Sequence, residues 1–296
     1  MFRALILMLA ASGSLAALPG SDSKALLRAV RSSQGDLEVG GELAGLPAGS
    51  TRYVRYEDLL RLRLETYTVS DDSTLHAKTE ISGIALAALA QILGQSADMI
   101  VAICDDRYRT NYPADYLAAH HPILVLRING KERDQWPATD NGGSMGPYLI
   151  SHPVFKPSFK LLSHEDEPQI PYGVTRIEFR REAEVFGAIR PRGTWAADSP
   201  VSQGYIIARQ DCFRCHNMRG EGGTMAGISW LQLAAMARSD GERFRRIIHD
   251  PASVTAGAKM PAQPAYDNDT LEALTAYFKT FAQSDEGADR GKGSIR

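Results

Sequence analysis

Five consecutive residues, Cys212-Phe213-Arg214-Cys215-His216, constrain this chain more than any other feature in it. Only three cysteines occur, at positions 104, 212 and 215, which is too few for a disulfide scaffold, so the close pair needs another use. Cys-x-x-Cys-His is the spacing of covalent haem attachment. Two intervening residues place both thiols on one side of a helical turn, within reach of the two vinyl groups of one porphyrin, and His216 follows directly as an iron ligand. A dithiol redox pair is the rival reading. It is disfavoured by the histidine that follows at once and by the helical character of the surroundings. A structural zinc ion would want four ligands, and there is no second cysteine pair. The expected cofactor is one haem c, attached through Cys212 and Cys215, with His216 as an axial ligand.

The first seventeen residues read as a secretory signal peptide: Arg3 near the start, an apolar run from Ala4 to Ala11, and small residues to Ala17. An uncleaved anchor is less consistent, because the apolar stretch falls short of the roughly 20 residues that a membrane span needs. Export, with a periplasmic location, is the expectation. The 296 residues are 44% hydrophobic and carry 33 Lys+Arg against 35 Asp+Glu, a net charge of −2 that offers no broad basic field for nucleic acid. No internal stretch is long and apolar enough to cross a membrane.

Residues 18–50, rich in Gly, Ser, Ala and Leu, read as an irregular lead-in with one helix over 23–32. The alternation of Leu60, Leu62 and Leu64 with charged residues predicts a half-buried strand. A helix is predicted over 84–93, ended by Gly94. Strands are predicted at 99–103 and 123–126, then an Asn129-Gly130 turn, then strands at 148–151 and 174–179. Residues 187–200, with two prolines, two glycines and no periodicity, read as a linker. Beyond it the pattern is helical: 201–211, 242–249 stopped by Pro251, and a last helix with the stripe Leu271, Leu274, Phe278, Phe281, capped by one of Asp267, Asn268 or Asp269. The tail, 284–296, reads as loose.

Residues 201–283 resemble a small class I cytochrome c. Gly204 lies eight residues before Cys212, as does the family's first-helix glycine, which lets the last helix cross closely; Tyr277 is the aromatic expected from that side. The resemblance implies a sixth iron ligand from a methionine before the last helix, and Lys259-Met260-Pro261 stands there. Met260 is therefore the expected second axial ligand; Met236 reads as core packing, Met218 is too near His216, Met225 stands in the segment that follows the motif, and His249 is the bis-histidine alternative. Two features depart from the family. Ala208 stands where an aromatic is usual, and Met225-Ala226-Gly227-Ile228 lacks the proline whose carbonyl usually orients the proximal histidine, so the partner of His216 is left open. Arg214, Arg219 and Lys259 read either as a positive rim that steers an acidic partner or as ordinary solvated charges.

Residues 51–186 resemble part of the molybdopterin-binding domain of the sulfite oxidase family, on Glu80–Leu89, Val101–Tyr108, Ile128–Lys131, Gly146–Ile150 and the strand around Ile177. That family's molybdenum cysteine has no counterpart, since no cysteine precedes position 104, and Cys104 reads as a buried thiol. Together the two resemblances imply an α+β, sulfite-oxidase-like domain followed by an all-α cytochrome c domain. They imply an electron carrier rather than an enzyme, relaying single electrons between redox protein partners, a molybdoenzyme or respiratory oxidase among them, with the first domain as a docking module. The alternatives are a subunit or enzyme of molybdopterin-type oxidoreductase chemistry and a haem-based sensor.

Overall fold

A computed structural model describes residues 23–70, 74–94, 97–140 and 142–281, so the predicted signal peptide and tail lie outside the described residues. The chain opens with α1 (Ser23–Leu26), β1 (Leu37–Gly41), β2 (Arg52–Val54), α2 (Tyr56–Leu59), β3 (Glu65–Val69), β4 (Thr79–Ala85) and α3 (Leu86–Leu93). It continues through β5 (Met99–Cys104), β6 (Arg109–Pro113), α4 (Ala114–His120), β7 (Ile123–Ile128), β8 (Tyr148–Ser151), β9 (Lys160–Leu161), β10 (His164–Glu165) and β11 (Tyr172–Arg180). Helices follow: α5 (Glu182–Val185), α6 (Pro200–Gln210), α7 (Trp230–Ser239), α8 (Gly241–His249), α9 (Pro251–Val254) and α10 (Asn268–Lys279).

Nine strands form one mixed sheet, ordered β2-β1-β11-β8-β7-β4-β3, with β5 joined to β11 and β6 to β5. The β1–β11 pair is parallel and the others are antiparallel. Strand β11 reaches three partners because β8 pairs with Tyr172 and Val174 and β1 with Arg176–Phe179, while β5 pairs along Val174–Arg180, with a register shift at Val174–Arg176.

The expected α+β unit followed by a self-contained all-α cytochrome domain is not seen. The fold is α/β, about 32% helix and 25% strand around the mixed sheet. The reason lies in β5. Its residues alternate between two cores: Ile100, Ala102 and Cys104 face a cluster with Leu37, Tyr112, Leu124 and Phe179, while Met99 and Val101 face the other way. That second face is covered by the C-terminal helices, in one continuous apolar cluster with Phe213, Trp230, Phe244, Tyr277 and Phe278. Polar contacts tie the same halves together. Arg109 and Arg180 share Glu221 at 2.7 and 2.6 Å, and the Ser163 and Thr270 hydroxyls lie 2.6 Å apart. The predicted linker joins this packing as well: Ile189 is fully buried, and its carbonyl accepts a hydrogen bond from the Tyr277 hydroxyl.

Most predicted elements are present within a residue or two. The strand expected from Leu60, Leu62 and Leu64 is instead a turn between α2 and β3, whose leucines pack individually against the sheet core. The helix expected over 23–32 is observed only as Ser23–Leu26. Strands β1, β3, β4 and β6 and helices α4 and α7 are among the elements that the sequence did not show. Ser229 and Gln232 supply a capping box for α7 that was legible in the sequence.

Asp58 on α2 shows how the N-terminal segment is tied down. Its carboxylate is 5% exposed and meets Arg28, Arg55 and Arg61 at 3.3, 3.0 and 2.8 Å. The hydrogen bond from Arg55 leads the influences that hold its pKa below the usual carboxylate value, against the opposing effect of burial. A carboxylate with a depressed folded pKa contributes stability above its unfolded pKa of about 3.9 and loses it as pH falls through the lower folded value. Asp58→Asn is therefore expected to cost about 1 kcal/mol, or ~3 °C in melting temperature, since its partners are partly solvated. In thermal melts the gap to the natural protein should be constant from about pH 7 to pH 5 and close below about pH 4. A gap that persists in acid would assign the loss to packing.

Candidate functional site

Helix α6 begins at Ser199, whose hydroxyl accepts from the Ser202 amide, and ends at Asp211. A single 3-10 turn, Cys212–Arg214, follows, and the Cys212 carbonyl accepts from the amides of Cys215 (3.2 Å) and His216 (3.0 Å). This turn brings Cys212, Cys215 and His216 to the wall of one cavity. Met260 and Pro261 line the same cavity from the segment before α10. Leu233, Phe244, Leu274 and Phe278 supply apolar walls from α7, α8 and α10.

Both thiols are unpaired. Burial raises the pKa of each. Cys212 is pushed well up, with the Asp211 charge adding to the effect, and Cys215 is pushed up to about 11 despite the opposing charge of Arg214. Burial thus favours the protonated thiol at both positions.

His216 is 7% exposed, and burial lowers its pKa, favouring the neutral ring. Its Nδ1 lies 2.6 Å from the Ile228 carbonyl oxygen. A carbonyl only accepts, so Nδ1 carries the proton and Nε2 keeps its lone pair. That is the arrangement of metal-binding histidines, whose second nitrogen donates to a backbone carbonyl. The segment Met225–Ile228, which lacks the expected proline, still provides the partner through the residue before the Ser229 cap of α7.

The competing ligands separate cleanly. His249 does not line this cavity and lies in an outer groove with Arg245 and Arg246. Met218 is buried in the apolar core and Met225 is exposed. Met236 lines the cavity, so it is the second sulfur on that wall. Arg214 is no rim charge: its side chain is 14% exposed and lies 3.4 Å from Glu167 and 3.6 Å from Asp211.

Tyr108, from the Val101–Tyr108 stretch, also lines the cavity, together with Glu167, Asp211 and Tyr266, which the sequence did not single out. The Tyr266 hydroxyl donates to Asp211, and its oxygen lies 2.9 Å from His164 Nδ1. His164 Nε2 lies 2.7 Å from Gln210 Oε1, and Gln210 Nε2 donates to Asp166 Oδ1 at 2.6 Å. Burial and the Asp211 charge raise the Glu167 pKa. Asp211 adjoins Cys212 and Tyr266 precedes the cap of α10, so both stand near legible motifs. Glu167 comes from the sheet half, and no local signal places it here. His164, Glu167 and Asp211 bring potential metal-ligand atoms within 4.8 Å of one another, but both ring nitrogens of His164 are already engaged.

Cys104 is 4% exposed in the sheet core, and burial raises its thiol pKa well above the ordinary value. Among the described residues no helix is long and apolar enough to cross a membrane. No protein-family model matches the chain, and no curated protein is similar to it.

Proposed function

We propose that this chain is an exported monohaem c-type electron-transfer protein that relays single electrons between redox protein partners. The observation that carries the reading is the convergence of two protonated thiols, an imidazole with a free Nε2 and a thioether on one apolar-walled cavity. Cys212 and Cys215 would hold the haem covalently, and His216 and Met260 would be its axial ligands. Bound there, haem iron would supply a one-electron couple, with the His216 imidazole and the Met260 thioether to hold it.

The protein's own contribution is to position and to exclude. The Ile228 carbonyl holds the His216 proton and so fixes which nitrogen faces the cavity. Phe244, Leu274 and Phe278 keep water from that side. Glu167 and Asp211 neutralise Arg214, so no unpaired cation stands at the wall.

A relay is favoured over the molybdenum enzyme because the sheet's cysteine is packed into the core. A relay is favoured over a sensor because the Met260 thioether lines the same cavity as His216 and would leave a bound iron no open site. Metal analysis tests the first distinction: about one iron and no molybdenum per chain is expected, and stoichiometric molybdenum would reject the relay. Met260→Ala tests the ligand. It should abolish the thioether-to-iron absorption at the red edge of the spectrum and open the ferrous protein to carbon monoxide, whereas Met236→Ala should do neither. The reverse pattern would move the ligand to α7.

A further inference from the structure

The hydrogen bonds around His164 fix where its protons are. Its side chain is fully buried between β10, the end of α6 and the segment before α10. The Tyr266 hydroxyl has one proton and donates it to Asp211 Oδ2. Its oxygen therefore accepts from His164 Nδ1, 2.9 Å away. His164 Nε2 meets Gln210 Oε1 at 2.7 Å. The far side of that amide sets its orientation. Gln210 Nε2 donates to Asp166 Oδ1 at 2.6 Å, and Asp166 also accepts from the Ser158 amide and hydroxyl, so an ionised carboxylate faces the NH2. An amide oxygen only accepts, so Nε2 carries a proton as well. Both ring nitrogens donate, and His164 is an imidazolium. His152 and His216 are the contrast, since burial there favours the neutral ring.

The charge is balanced locally. Asp211 lies 3.6 Å from His164 Nδ1, and His164, Glu167 and Asp211 hold polar atoms within 4.8 Å of one another. Arg214 stands 3.4 Å from Glu167 and 3.6 Å from Asp211, so two cations face two carboxylates. Asp166 reaches His164 only through Gln210, and Glu165 on the same strand pairs outward with Lys160. Asp211 and Tyr266 line the proposed haem cavity, whereas the Glu167 side chain is 38% exposed and connects the cluster to water. A second state is built in: once Nδ1 is bare, the Tyr266 hydroxyl can turn to it from Asp211, and both ring nitrogens stay hydrogen-bonded.

We infer that His164 releases this proton when an electron leaves the adjoining cavity, so that the relay moves one proton with each electron. The electron passes from haem iron to the redox partner. The proton passes from Nδ1 through the Tyr266 hydroxyl and Asp211 to water at Glu167. The cluster then loses one positive charge as the iron gains one, and no buried charge is left uncompensated. The linkage rests on the proposed haem, whereas the imidazolium does not.

Histidine 15N NMR of the reduced protein tests the proton. At about pH 6 His164 should show both ring nitrogens protonated and His152 only one. A neutral His164 ring would overturn the inference. Potentiometry tests the linkage. The midpoint potential should fall as pH rises from about 5 to 8, by about ten-fold in the electron-transfer equilibrium, or about 59 mV. His164→Asn keeps a donor toward Tyr266 but does not titrate, and it should remove most of that fall while retaining pigment and the thioether absorption. Asp211→Asn removes the counter-charge; it should move the fall to lower pH and serves if the first variant fails to fold. A flat profile, or a fall unchanged in either folded variant, would overturn the linkage. Colourless protein would reject the electron-transfer reading and the linkage with it, while the NMR result would still decide the imidazolium.

Discussion

Protein carrying both Cys212→Ala and Cys215→Ala, produced alongside haem-attachment machinery, is expected to fall from one covalently held iron per chain to none. The two thiols stand on one 3-10 turn at the wall of the cavity that His216 and Met260 share, and Cys104 is buried elsewhere in the sheet core. No other thiol can replace them. Each single variant should retain pigment through its remaining thiol, because one thioether still survives extraction. The measurement is retention of colour in the protein after acidified acetone, followed by iron analysis. Pigment that stays with the double variant, or natural protein that sheds it, would remove the basis of the electron-transfer reading. Thiol pKa values raised by burial make a reversible Cys212–Cys215 disulfide the less suitable alternative, and a thiol count on the isolated protein separates the two.

Gly204→Ala is expected to be strongly destabilising. Gly204 lies on α6 where α10 crosses it, and a Cβ there would stand 2.1 Å from the Ala273 carbonyl oxygen and 2.8 Å from Tyr277 Cβ. Backbone atoms form most of that obstacle, so no rotamer change relieves it, and the helices must separate. In an exposed helix the same substitution would gain about 1 kcal/mol from helix propensity. Here overpacking should reverse the sign and cost about 3 kcal/mol, lowering the melting temperature by ~10 °C. The damage should reach the cavity too, because Leu274 and Phe278 of α10 form part of its wall. A melt that is unchanged or raised would mean that α6 and α10 do not cross at this distance.

The parts of the site that were legible in the sequence are those made by neighbours along the chain. Cys212, Cys215 and His216 are linked by one hydrogen-bonded turn, and a spacing rule captures them completely. Met260 was found through its place before the capped start of α10, and Asp267 does accept from the Thr270 amide there. The Ile228 carbonyl was not foreseen because the resemblance places that carbonyl on a proline, whereas any residue's backbone oxygen serves when it is delivered to the right place. Glu167 was missed because it arrives from the sheet half.

The expected fold class, with an all-α C-terminal unit, failed for a related reason. A helix stripe such as Leu271, Leu274 and Phe278 shows that one face is buried, not what buries it. The warning was present in Met99–Cys104, an unbroken apolar run where a one-sided strand would alternate; such a run needs cover on both faces. The second cover is the set of C-terminal helices.

By itself, the amino-acid order determined the spacing of Cys212, Cys215 and His216, the longer C-terminal helices and several strands of the sheet, all of which follow from short-range spacing and stereochemistry. Only the tertiary structure decided that sheet and helices share one core and that Ile228 orients His216. These depend on which surfaces exclude water together, and that is a property of the packed chain rather than of any local run of residues.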